Sequence, residues 1–194
     1  MEKLTRESLF SLEEYAEKRD EFRARVIEHK KNRRLALGTN ATLYFEDRLT
    51  MQYQVQEMLR IERIFEASGI REELEAYNPL IPDGSNWKAT FMVEFPDVEE
   101  RRAMLTRLVG IEDAVWLQVG DLPRITPIAD EDLERGDETK TSAVHFLRFE
   151  LNDDQVQALK GGAQLAAGID HDIYQVEIRP VAENIRHSLL GDLD

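Results

Sequence analysis

Trp87-Lys88-Ala89-Thr90-Phe91-Met92-Val93-Glu94-Phe95 alternates apolar and mostly polar side chains without a break. Successive side chains of a strand point to opposite faces, so this stretch reads as a β-strand with one buried face. Pro96 ends it, because proline offers no N–H to a sheet ladder. Downstream, Asp97-Val98-Glu99-Glu100 opens a helix with a capping acid, and Gly110 closes it. Residues 115–119 and 124–128 read as two more strands. Asp130 to Lys140 is acidic and poor in apolar residues, the pattern of a mobile loop. Ala143, His145, Leu147, Phe149 and Leu151 form another alternating face. Asn152 caps a short helix that ends at Gly161-Gly162. Residues 164–169 and 173–179 read as a hairpin around Asp170-His171-Asp172, and a last helix covers about 181–190.

Upstream the period is helical. Ser11 and Glu14 have capping-box spacing, and Leu12, Tyr15, Phe22 and Val26 recur on one helix face. That helix ends in the basic run His29-Lys30-Lys31-Asn32-Arg33-Arg34. Apolar residues 35–37 and 41–45 flank Gly38-Thr39-Asn40, a hairpin pattern. Phe45 to Phe65 reads as one long helix, apolar on more than one side, which carries a ladder of amides, carboxylates and arginines. Ser68-Gly69 is its expected stop, followed by a short helix at 71–77. The expected fold is α+β: N-terminal helices, one long semi-buried helix, then a largely antiparallel sheet with crossover helices. A single globular domain of 1–194 is expected, with 1–78 mainly helical and 79–194 mainly sheet.

The chain has 194 residues and a formal net charge of -14. Such an acidic surface repels phosphate backbones, which argues against nucleic acid and against anionic membranes as partners. With no cysteine, disulfides, thiolate metal sites, cysteine nucleophiles and cysteine-held iron–sulfur clusters are excluded. The N-terminal residues lack an apolar signal core, and no apolar run reaches the ~18 residues a membrane helix needs. A cytoplasmic protein is expected.

No phosphate loop, dinucleotide fingerprint, nucleophile elbow or zinc-protease helix is present. The polar ladder is therefore the main candidate site. Glu57 and Arg60, three apart, form a natural ion pair on one helix face. Together with Arg48, Glu62 and Glu94 they could line a pocket for a small polar or anionic ligand, or a carboxylate metal site. The same groups could equally form an architectural network. Lys30, Lys31, Arg33 and Arg34 could dock an acidic partner, or simply compensate the helix dipole. His29 reads as a solvated member of that run, and His145 as a satisfied core histidine. Asp170, His171 and Asp172 could ligate a cation, or make an ordinary turn. No catalytic residue and no cofactor follow from these patterns.

His29-Lys30-Lys31-Asn32-Arg33-Arg34, Leu43-Tyr44-Phe45-Glu46-Asp47-Arg48 and Gln54-Val55-Gln56-Glu57-Met58-Leu59-Arg60-Ile61-Glu62 resemble an uncharacterised bacterial family, a domain of unknown function. Asn78-Pro79-Leu80-Ile81-Pro82, Trp87-Lys88-Ala89-Thr90-Phe91-Met92 and Gly168-Ile169-Asp170-His171 with Tyr174 are similar to its later blocks. The resemblance implies a setting beside a rubrerythrin-like protein and an iron–sulfur oxidoreductase of the heterodisulfide-reductase type. From it we expect an accessory or binding protein of such a redox or oxidative-stress system. The alternative is an enzyme or ligand-binding protein with the carboxylate–arginine pocket, metal-dependent or not. A homodimer is left open.

Overall fold

The computed structural model describes every residue except 1, 132, 134, 137 and 138. The chain is α+β, with two separate antiparallel sheets among the described residues. Strands β1 (Arg34–Ala36), β2 (Ala41–Glu46), β3 (Asn86–Val93), β6 (Val144–Glu150) and β5 (Ile128–Ala129) form the first, in that order. Strands β4 (Val115–Val119), β7 (Leu165–His171) and β8 (Tyr174–Ile178) form the second.

The expected crossovers take a specific form. Helix α4 (Val98–Arg107) carries the chain from β3 in the first sheet to β4 in the second. Helix α5 (Asp153–Lys160) does the same from β6 to β7. The inner faces share one core: Phe45, Trp87, Phe91 and Phe149 lie in the same cluster as Val115, Leu117, Leu165 and Ile169. The alternation that marks β3 is realised as Trp87, Ala89, Phe91 and Val93 inward. Trp87 also donates its indole N–H to the Leu189 carbonyl at 2.9 Å, anchoring helix α6 (Glu183–Leu190).

The other face of the first sheet is covered by helices α1 (Leu12–Lys30), α2 (Arg48–Glu62) and α3 (Ala67–Tyr77). Ser11 and Glu14 form the capping box expected for α1. Asp47 and Thr50 form a second one at the start of α2. Met51, Val55 and Leu59 are the buried stripe of α2, packed with Leu74 and Ile81.

Three boundaries differ from the sequence reading. Residues 45 and 46 are strand, not helix, because β2 pairs with β3 as far as Glu46↔Lys88. Helix α2 stops at Glu62, with Arg63 in the left-handed region at φ 55°. Ser68-Gly69 therefore lies inside α3, where a side chain at Gly69 would meet Ile64 at 2.7 Å. Residues 124–128 give no full strand. Ile125 makes one bridge to Leu117, and the chain then joins the other sheet as β5. Within the acidic stretch 130–140, residues 132, 134, 137 and 138 lie outside the described residues.

Candidate functional site

The polar ladder does not form one pocket. Glu57 is held by α1: Arg19 donates to both its oxygens at 2.7 and 3.0 Å, and the Tyr15 hydroxyl donates at 2.6 Å. Arg60 adds a longer contact at 3.4 Å. The Arg19 hydrogen bonds, reinforced by Tyr15 and outweighing burial, hold the Glu57 carboxyl down to about 2. Burial and Glu57 together push the Tyr15 phenol up. Arg48 donates to Ser8 Oγ at 2.9 Å and leaves a buried Nε without a partner. Glu94 is exposed and accepts from Thr42, and Glu62 is exposed at the far end of α2. Of the five, only Glu57 and Arg60 touch.

Glu57 thus clamps α1 to α2. Glu57→Gln is expected to destabilise by about 1–2 kcal/mol in urea unfolding at pH 7. A depressed carboxyl stabilises above its ordinary pKa of 4.5, and that contribution fades as pH falls towards about 2. The difference between the proteins should therefore shrink as the pH is lowered through that window. An unchanged difference would contradict the ionic clamp.

The basic run divides. Arg33 is only 2% exposed and is spent inside the fold. It donates to the Phe45 and Glu46 carbonyls, each at 3.0 Å, and grips Asp192 at 2.5 and 3.3 Å. Its Nε lies 3.4 Å from Asp47. Burial removes it from any docking face. His29 is not a solvated histidine either: its Nε2 lies 2.5 Å from Asp47 Oδ2. Asp47 is buried, but its hydrogen bonds with His29 and the Thr50 N–H and the charge of Arg33 outweigh that burial and lower its pKa. Asp192 is pushed up to about 6 by burial, against the pull of Arg33. Lys31 and Arg34 remain exposed, and Lys30 is half-buried.

The residues 170–172 do not converge either. Asp170 pairs with Arg124, His171 accepts from the Ile173 N–H and contacts the Val109 carbonyl, and Asp172 points outward as an exposed turn residue. Among the described residues no three His, Asp or Glu side chains could hold a metal ion. His145 is buried with both ring nitrogens engaged, by Asp130 at 2.6 Å and Thr141 at 2.9 Å.

The site that does form is one the sequence reading missed. A cavity of about 380 Å³ lies between the outer face of the first sheet and the helices. Its floor is Tyr44 and Glu46 from β2, Thr90 and Met92 from β3, and Phe146 from β6. Register sets that floor, since Tyr44, Thr90 and Phe146 face each other across three strands. Met51 and Gln54 descend from α2, Lys30 from the end of α1, and Tyr77 and Leu80 close the side.

Glu46 is 7% exposed, yet its Oε2 has no hydrogen-bond partner. Its Oε1 accepts from Thr90 Oγ1 at 2.8 Å. A buried carboxylate oxygen without a donor is costly, so such atoms are rare in folded proteins. Around it, the Lys30 ammonium, the Gln54 amide and the hydroxyls of Tyr44 and Tyr77 have no hydrogen bond or ion pair among the described residues. Among the described residues Glu46 Oε2 is the buried, unpartnered polar atom of this lining, and the other four groups are half-exposed and free to meet solvent or a ligand. A neighbouring cavity shares Tyr77, Leu80 and Phe146 and is lined by Lys88, Glu131 and Arg148. Three of its four charges are already engaged: Arg148 pairs with Glu131 and Glu150, and Lys88 donates to the Pro79 carbonyl, while Glu75 is exposed at the rim.

Over residues 3–193 the chain matches the family described as "Protein of unknown function (DUF3501)", and it belongs to that family. A crystal structure titled as a novel protein of unknown function from Burkholderia pseudomallei K96243 is 52% identical. It superposes with a TM-score of 0.94 over 100% of both chains. No curated protein matches the chain. Among the described residues no helix is long and apolar enough to cross a membrane.

Proposed function

We propose that this protein binds a small polar molecule in the cavity around Glu46, and does so as a cytoplasmic accessory protein. The observation that carries the reading is the buried, unpartnered Glu46 Oε2 at a cavity whose other uncommitted polar groups, on Lys30, Tyr44, Gln54 and Tyr77, are half-exposed. A cavity of this size with few convergent polar groups suits a small molecule. The redox setting implied by the family resemblance fits an accessory role. There, iron–sulfur and rubrerythrin-like partners would supply the cysteine-ligated metal centres for which this chain has no ligands. Lys31, paired with Glu28, and Arg34, which lies over the Tyr44 ring, are the exposed cations of the basic run that a partner could meet.

Native mass spectrometry of protein purified without oxygen or chelator tests the reading. Extra mass is expected in the native spectrum of the wild type and not in that of Glu46→Met. A bare wild-type chain, unaltered by cell-extract metabolites, would overturn it.

Binding residues often lower stability, because their unmet polar groups serve a ligand rather than the fold. Glu46→Met is accordingly expected to raise stability by about 1 kcal/mol in denaturant melts. A loss of similar size would mark Glu46 as a structural residue instead.

A further inference from the structure

We propose that the ligand of this cavity is a small zwitterion, a molecule with an ammonium group for Glu46 and an acid group for Lys30. This rests on the reading of the cavity as a binding site. Two of its lining residues carry charge, and they are opposite: Glu46 and Lys30. They do not neutralise each other, since no ion pair joins them within 4.0 Å. Glu46 is fixed low on the floor by Thr90, and its strand by the Arg33 hydrogen bond to its carbonyl. Lys30 sits half-buried at the end of α1.

A purely cationic ligand would satisfy Glu46 but face the Lys30 ammonium. A purely anionic one would satisfy Lys30 but bring a second negative charge into a partly desolvated site beside Glu46. Either mismatch is penalised more strongly there than in water. A dipolar ligand of zero net charge meets both groups at once. Tyr44, Tyr77 and Phe146 add aromatic rings to the lining, of which Tyr44 and Phe146 already carry Arg34 and Arg135 at 5.8 and 4.5 Å, and Met51 and Met92 give an adaptable apolar wall. Gln54 can donate to an acid oxygen or accept from an ammonium.

The test uses the full chain and four probes of similar length: norleucine, ε-aminocaproate, hexylamine and caproate. Calorimetry gives affinities, and amide chemical-shift mapping places each probe. One of the two amino acids is expected to bind at least about tenfold more tightly than both singly charged compounds. Its shifts should centre on Met51, Gln54 and Thr90. Glu46→Gln should erase the advantage over caproate, and Lys30→Met the advantage over hexylamine. Hexylamine or caproate binding as tightly as the amino acids would overturn the zwitterion class and leave the cavity as a binding site. Shifts from none of the four would also overturn the class. The native spectrum then decides separately whether the cavity binds anything at all.

Discussion

Replacing Arg33 by methionine is expected to cost on the order of 3–5 kcal/mol of folding stability. That is a large share of the ~5–15 kcal/mol that holds a typical domain together. The reason is what Arg33 leaves behind. Its guanidinium is the cation shared by Asp47 and Asp192, two carboxylates that are themselves almost wholly buried. It also satisfies the Phe45 and Glu46 carbonyls where β2 turns into α2. Methionine fills a similar volume but takes the donor from Asp192 and from both carbonyls, and leaves Asp47 held only by His29 and the Thr50 N–H. The cluster ties together the end of α1, the β2–α2 junction and the C-terminal residues after α6, so the loss should be global. Arg33→Lys should recover little, because a point charge cannot reproduce a planar fork that serves four acceptors. Urea unfolding followed by circular dichroism measures this. A loss below about 1 kcal/mol would mean that solvent or His29 can replace the guanidinium.

The same cluster has a pH signature. Asp192 holds its proton up to about 6, above its ordinary 3.8. A carboxyl raised in the folded state stabilises fully below its unfolded pKa. That contribution is lost as pH rises from about 4 to about 6. Asp47, lowered, acts in the opposite sense and loses its contribution as pH falls below its ordinary 3.8. Comparing the wild type with Asp192→Asn cancels the chain's other acids. The wild type should lose ground to the variant as pH rises from about 4 to 6, with a constant difference above. A difference that does not change with pH would show that Asp192 is ionised throughout.

How much of this was legible beforehand depends on how local the determinant is. The strand expected at 87–95, which runs from Asn86 to Val93, the Ser11–Glu14 capping box and the helix capped by Asn152 are set by side chains within a few residues of one another. All three are present. Glu46 was not legible as a site. Ala41, Leu43 and Phe45 do alternate with Thr42, Tyr44 and Glu46, but a helix drawn from Phe45 onward cuts this period-2 pattern one residue before Glu46. A helix over 45–65 takes it as its first carboxylate. Asp47-x-x-Thr50 was the available signal that the helix begins only after it. Arg33 was hidden by its neighbours. Inside a basic run nothing distinguishes the one cation that a carboxylate 159 residues away will bury. The ladder of α2 misled for the reverse reason: same-helix spacing correctly paired Glu57 with Arg60. The strong partners of Glu57 come from α1, 38 and 42 residues earlier.

Gly168→Ala should be the most disruptive single-methyl change in the second sheet, with a loss of about 3 kcal/mol. Gly168 faces Trp116 across the β4–β7 pair. A Cβ built there lies 2.5 Å from the Val176 carbonyl oxygen on β8 and closer still to Trp116 Cζ2. Neither neighbour has an easy way out. The Val176 oxygen is backbone within the β7–β8 ladder. The indole is buried, with the Arg124 guanidinium stacked on its ring at 3.8 Å. Glycine is needed here for room rather than for an unusual backbone angle. Bare backbone in mid-strand is covered by an aromatic ring from the next strand. That geometry gives a physical reason for the Gly168-Ile169-Asp170-His171 block: Gly168 accepts the indole, and Asp170 pairs with the arginine that lies on it. Trp116→Ala, though damaging alone, should relieve part of the Gly168→Ala loss, giving a coupling of about 1 kcal/mol or more in a double-mutant cycle. Strict additivity would locate the whole clash on the Val176 carbonyl and leave the indole as a bystander.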